Sequence, residues 1–197
     1  MTGVAPNPDR WSLAAGQGRD WIAARIPHAG GMCLLDHVVR AAPDQLWAAT
    51  RSHLRRPHPL IVRGDRLGAA HGVEYASQAM ALHGGLLAGA AGSVTGAHPG
   101  GGRLVSVREL RLAVPELARP GKAQAGDGPD PAAQVLGVHV TLEAGDARQA
   151  SYAFALGPWT PAAADAGLGT SAGAWPGEPP GLDTIWVSGR ASVLLVT

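Results

Sequence analysis

Residues 69–85 read AAHGVEYASQAMALHGG. Small and apolar residues dominate the stretch and run on to about Ala90, which predicts the one long helix of the chain. A single carboxylate, Glu74, sits near its start with no lysine or arginine close by in sequence. From Tyr75 to Gly102 there is no Asp, Glu, Lys or Arg. A helix this apolar has no solvent face and belongs inside a protein. Gln78, His83, Ser93, His98 and a run of glycines make the same region a poor membrane span.

Working outward, the flanking segments alternate as strands do. MCLLDHVVRAAPDQLWAATRSH (32–53) holds two runs split by Pro43 and Asp44, a predicted hairpin. GGRLVSVRELRLAV (101–114) places Val105 and Val107 on one parity and Leu110, Leu112 and Val114 on the other, so a bulge is expected near Arg108. A second hairpin is expected over residues 134–157, with Leu136, Val138, Val140 and Leu142 on one face and Tyr152, Phe154 and Leu156 on another. IWVSGRASVLLV (185–196) reads as a final strand. Residues 19–28 predict a short helix stopped by Pro27, and residues 1–18 a flexible leader. Residues 158–181 carry five of the 16 prolines without periodicity and are expected to form a flexible insert in a single domain, 19–197.

The predicted order is β-β-α-β-β-β-β. An apolar helix and antiparallel strands covered on one face are both satisfied if the sheet wraps around the helix, an α+β hotdog fold, although other α+β sandwiches fit the same pattern. Whole-chain numbers exclude some classes. Hydrophobic content of 46% excludes disorder, and a net charge of +1 argues against nucleic-acid binding. One cysteine, Cys33, allows no internal disulfide and reads as a small core residue. The N-terminus, with Pro6, Pro8 and Asp9, lacks the basic start and apolar run of an export signal, so a cytoplasmic location is expected. The eight histidines show no metal-binding spacing, and no metal or other cofactor is expected.

Two motifs add a resemblance. IPHAGGMCLLDHVV (26–39) and VEYASQAMALHGG (73–85) are similar to the opening strand and helix signature of the hotdog 3-hydroxyacyl-acyl-carrier-protein dehydratases. The first has a Pro-His pair before an apolar run ending in an acid. The second has an acid and, four positions on, a glutamine. The chain most resembles the divergent dehydratase-like members associated with aryl polyene and related acyl-chain pathways, over about residues 20–157 and 185–196.

The resemblance implies a lyase that dehydrates 3-hydroxyacyl thioesters on acyl carrier protein or coenzyme A, with Glu74 as acid and a histidine as base from the opposite subunit of a dimer. Burial among Val73, Tyr75 and Ala76 is expected to raise the Glu74 pKa and keep it protonated. The family's GHFPGxPVxPG histidine loop is absent here. In its place SHLRRPHPLIVRGDRLGAAHG (52–72) offers His53, His58 and His71, with His53 preferred over His58 because a strand end holds a side chain rigidly. Gln78 either orients Glu74 or faces solvent. Gly68 and Gly72, at the helix N-terminus, would let a thioester oxygen approach backbone N–H groups.

His28, His71 and His83 read as structural or packing residues. Arg51, Arg55, Arg56, Arg63 and Arg66 crowd the loop before the helix with only Asp65 in local opposition; they form either a solvated loop or a carrier-protein docking patch centred on Arg55, Arg56 and Arg63. The alternatives are a hotdog acyl thioesterase, or a non-catalytic or half-site subunit that pairs with a second hotdog protein instead of forming a homodimer.

Overall fold

The computed structural model describes residues 10–88, 102–118, 135–146, 148–159, 182 and 184–195. Its helices are α1 (Arg10–Ala14), α2 (Arg19–Ala23) and α3 (Gly72–Ala88), and its strands are β1 (His37–Ala42), β2 (Gln45–Thr50), β3 (Leu67–Gly68), β4 (Gly102–Leu112), β5 (Glu116–Ala118), β6 (Val135–Gly145), β7 (Gln149–Trp159) and β8 (Val187–Leu195). Six strands form one antiparallel sheet in the order β1-β2-β6-β7-β8-β4. That is the expected wrapped sheet. Short β3 and β5 pair separately beside the start of α3.

The core forms because the inward sets of neighbouring strands register with one another. Val138 pairs with Leu156 and Val140 with Phe154 across the β6–β7 hairpin. These residues, with Leu46 and Ala48 of β2, are buried in one cluster with Tyr75, Ala76, Ala79, Met80 and Leu82 of α3. Alanines on the helix let it lie close to the sheet. The hairpin turn is fixed by Asp146, whose Oδ1 accepts the N–H groups of Arg148 and Gln149 at 2.7 and 2.9 Å.

The strand end of β7 corrects one boundary. Residues 158–159, assigned from sequence to the insert, continue the strand, and Trp159 is buried against Ala49 and Val135. The rest of that insert, 160–181, lies outside the described residues. A second correction concerns the leader: Ala14 is fully buried, Gly18 bridges to His37, and Val38 exchanges backbone bonds of 2.9 Å with Gly16 and Gln17. Residues 10–18 therefore cover the β1 edge of the sheet.

At the opposite edge, β4 pairs only with β8 among the described residues. The register slips between Arg108 and Arg111, and Glu109 takes φ +52°, so the predicted change of phase is a true bulge. Leu104, Val105, Leu110 and Leu112 of β4 are all exposed there. No helix among the described residues is long and apolar enough to cross a membrane.

Candidate active site

Glu74 lies in the first turn of α3, and two donors converge on one of its oxygens. His28 Nε2 is 3.1 Å from Glu74 Oε1, and Gln78 Nε2 is 3.1 Å from the same atom. Oε2 has no bonding partner among the described residues. The carboxylate is thus anchored through one oxygen and free at the other, with 31% of its side chain exposed.

Helical spacing explains the Gln78 contact, since residues four apart share a face. Gln78 is completely buried; it does not face solvent. Its Oε1 accepts the Leu34 N–H at 2.8 Å, and its Nε2 also reaches the Met32 carbonyl at 2.8 Å. The amide therefore ties α3 to the segment that leads into β1. His28 enters from the loop after α2, and its Nδ1 is buried without a hydrogen-bond partner among the described residues.

These contacts reverse the expected protonation of Glu74. Burial pushes its pKa up, but the hydrogen bonds from His28 and Gln78, together with the charge interaction with His28, outweigh burial and leave it below the ordinary glutamate value. At neutral pH the resting group is a carboxylate and not a stored proton donor.

The loop histidines are directed elsewhere. His58 Nε2 lies 3.0 Å from Tyr75 Oη, and its Nδ1 accepts the Leu60 N–H at 3.2 Å. His53 is 2% exposed, in a short 3-10 turn (Ser52–Leu54), with Nδ1 unpartnered among the described residues. Burial lowers the pKa of each to about 4, so both rings are neutral at pH 7. Neither makes a hydrogen bond or ion pair with Glu74; the histidine that does is His28. The sequence reading gave His28 a structural or packing role, and its contact with Glu74 corrects that.

The other predicted positions separate as follows. His71 Nδ1 bonds the Gly68 carbonyl at 3.1 Å. His83 is fully buried between the Ala42 carbonyl, 2.9 Å from Nε2, and Tyr152 Oη, 3.0 Å from Nδ1. Gly72 departs from its expected role: its N–H is directed at the Ala69 and Ala70 carbonyls, and a Cβ there would come within 3.1 Å of Val187. Its missing side chain serves contact with β8. Gly68, by contrast, has ordinary van der Waals space around its Cβ position.

Tertiary pairing also changes the arginine patch. Arg55 pairs with Asp36 and Arg66 with Glu116, while Arg56 bonds the carbonyls of His53, Arg55 and Asp65. Sequence-local counting missed Asp36 and Glu116 because they come from distant segments. A cleft of about 150 Å³ lies beside this patch, lined by Arg19, Leu34, Ser52, Arg55 and His58 among others. Sites for small organic ligands run to roughly 300–1,000 Å³, so this cleft alone is small for an acyl thioester.

A model of the ApeP-like family, described as ApeP dehydratase, matches residues 21–125, just over half of the chain and both motifs. Among solved structures, the dehydratase heterocomplex ApeI:P from Xenorhabdus doucetiae is similar at TM-score 0.62 and 17% identity, over 89% of this chain and 91% of that one. An HP0420 homologue from Helicobacter felis is similar at TM-score 0.48 and 9% identity, over 90% of this chain and 89% of that one. No curated relative matches the sequence.

Proposed function

The chain belongs to the ApeP-like dehydratase family, and from that premise we propose that it is a dehydratase subunit acting on 3-hydroxyacyl thioesters, with Glu74 as the reacting carboxylate. The observation that carries the proposal is the one-sided anchoring of Glu74: His28 and Gln78 hold Oε1, and Oε2 is left for substrate.

An ionised carboxylate is equipped to begin the reaction by taking a proton. Glu74 Oε2 removes the proton from the carbon beside the thioester carbonyl, and the C–H electrons move toward the carbonyl oxygen. As the enolate collapses, the electrons form the new C=C bond and the C–O bond to the 3-hydroxyl breaks. Glu74 hands its proton to that departing oxygen, which leaves as water. One group thus serves in turn as base and acid, and regains its charge. His28 and Gln78 keep the carboxylate aimed through both steps.

A second reading keeps the roles implied by the resemblance, with a histidine as base and Glu74 as acid. The burial of His53 and His58 in their own chain favours a histidine from another subunit under that reading. Both readings are served by a partner. The β4 edge, paired only with β8 among the described residues, the partial exposure of Glu74 and the small cleft support completion of the site by a second hotdog subunit, and the similar ApeI:P assembly is named a dehydratase heterocomplex. A homodimer would use the same edge. Acyl carrier protein is the preferred carrier, docking on Arg55, Arg56 and Arg63, and the cytoplasm is the proposed location.

The test is an assay with 3-hydroxyacyl thioesters on carrier protein and on coenzyme A, using the chain alone and co-expressed with a hotdog subunit that carries a GHFPG-type loop. The enoyl product absorbs in the ultraviolet. Its appearance supports the proposal; release of free thiol without it supports a thioesterase; neither, in both preparations, rejects the dehydratase reading.

A further inference from the structure

Behind Glu74 stands a set of buried hydroxyls that the reaction steps do not use. Thr50 ends β2 and Ser52 opens the turn that follows; they are 0% and 1% exposed. Their oxygens each lie 2.6 Å from the Leu34 carbonyl oxygen. The N–H of Leu34 is the one that donates to Gln78 Oε1 at 2.8 Å, and Gln78 Nε2 is 3.1 Å from Glu74. Residue 34 is therefore held at both of its backbone polar groups, by hydroxyls on one and by the Gln78 amide on the other.

One proton direction in the network is set at His58. Because His58 Nδ1 accepts from Leu60, the neutral ring carries its hydrogen on Nε2 and donates to Tyr75 Oη. Tyr75 Oη and Ser52 Oγ are 3.2 Å apart. The Ser52 hydroxyl has both the Leu34 carbonyl, at 2.6 Å, and Tyr75 Oη within reach as acceptors. His58 and Ser52 thus both meet Tyr75 Oη, and Ser52 also meets the Leu34 carbonyl, in one connected network. Tyr75 follows Glu74 directly on α3, so Ser52 meets the helix at Tyr75 and the loop at Leu34.

We infer that Ser52, with Thr50 beside it, is a positioning residue for Glu74, acting through Leu34 and Gln78. The inference rests on Glu74 as the reacting carboxylate. Without the Ser52 hydroxyl, the Leu34 carbonyl keeps only Thr50 and the contact that ties this turn to Tyr75 Oη is lost. The Leu34 anchor then loosens, the Gln78 bond to Oε1 weakens, and ionised Glu74 is less well held.

Carbon-13 carboxyl NMR titration of Glu74 in the full chain tests this without turnover, so its outcome is independent of whether the dehydratase assay succeeds. The Glu74 signal is assigned by its loss in Glu74→Gln. Ser52→Ala and Thr50→Val are expected to move the Glu74 titration to higher pH while cooperative melting is retained, and Ser52→Thr to return it toward the native value. In the preparation that turns over substrate, Ser52→Ala should lose roughly tenfold to a hundredfold in kcat with KM unchanged. Native-like titration of Glu74 in folded Ser52→Ala and Thr50→Val overturns the inference. Failure of both variants to fold also overturns it, because the hydroxyls would then serve the fold alone.

Discussion

His28 and Glu74, 46 residues apart in sequence, meet at 3.1 Å between Nε2 and Oε1. The contact joins the loop after α2 to the first turn of the central helix. It also explains how a carboxylate on an otherwise apolar helix stays ionised: the hydrogen bonds from His28 and Gln78, with the charge interaction from His28, outweigh burial.

A pH prediction follows from that balance. Donors to the charged form depress the pKa of Glu74, so the activity that needs the carboxylate is present at neutral pH and fails only as pH drops through the depressed value. Removing His28 raises that value. His28→Ala should shift the acid limb of the kcat/KM profile to higher pH and cost about tenfold to a hundredfold near neutrality. An acid limb in the same place for His28→Ala and the native protein would exclude the contact as the cause.

Stability should respond to acid through different groups. His53 and His58 have pKa values lowered from 6.5 to about 4 by burial, so the unfolded chain binds more protons than the folded one between those values. Their contribution is complete above about pH 6.5 and is lost progressively toward pH 4. Urea midpoints measured across this range should fall with pH, and His58→Gln should flatten the slope. A midpoint independent of pH from 7 to about 4.5 would contradict the assignment.

Gly157 is required by a close approach and not by its backbone angles. A Cβ there would lie 1.8 Å from the Thr184 carbonyl oxygen, in the segment that leads into β8. Gly157→Ala should therefore force β7 and that segment apart and destabilise the fold by about 3 kcal/mol. Thermal melting checks it, and an unchanged Tm would show that the two segments are not in contact.

Carrier docking on the arginine patch has a salt signature. Arg63 has no ion-pair or hydrogen-bond partner among the described residues, whereas Arg55 is already paired with Asp36. Binding of acyl carrier protein should weaken as salt rises, and Arg63→Ala should reduce affinity roughly two- to fivefold, an amount typical of one exposed charge pair. Affinity indifferent to both changes would remove the patch from the docking surface.

The sequence revealed different parts of the protein to different depths. Strand alternation located β6 and β7 because one face of each is buried, and the apolar run located α3, although Val73, Ser77, Ala81 and Gly84 leave one side of it partly exposed. The bulge at Glu109 was readable as a change of phase. The short α1 was not, because five residues carry too little periodicity and Ala14 gives no signal of its burial. At the site, the resemblance pointed to Glu74, and the one-turn spacing of Gln78 left open whether it orients Glu74 or faces solvent; its burial and its bond to Oε1 decide that. The His28 contact was not legible, since nothing local to either residue shows that the loop after α2 folds onto α3. The same reason hid Asp36 from Arg55 and misdirected the protonation of Glu74, which local apolar neighbours raise and distant donors lower.

The most direct test of the account is the dehydratase assay on Glu74→Gln beside the native chain, each in the assembly that turns over 3-hydroxyacyl thioester. Gln keeps the size and the anchor to His28 and Gln78 but cannot take a proton, so enoyl formation should fall by roughly a hundredfold to ten-thousandfold with the melting temperature retained. Enoyl formation at the native rate by folded Glu74→Gln would contradict the central claim.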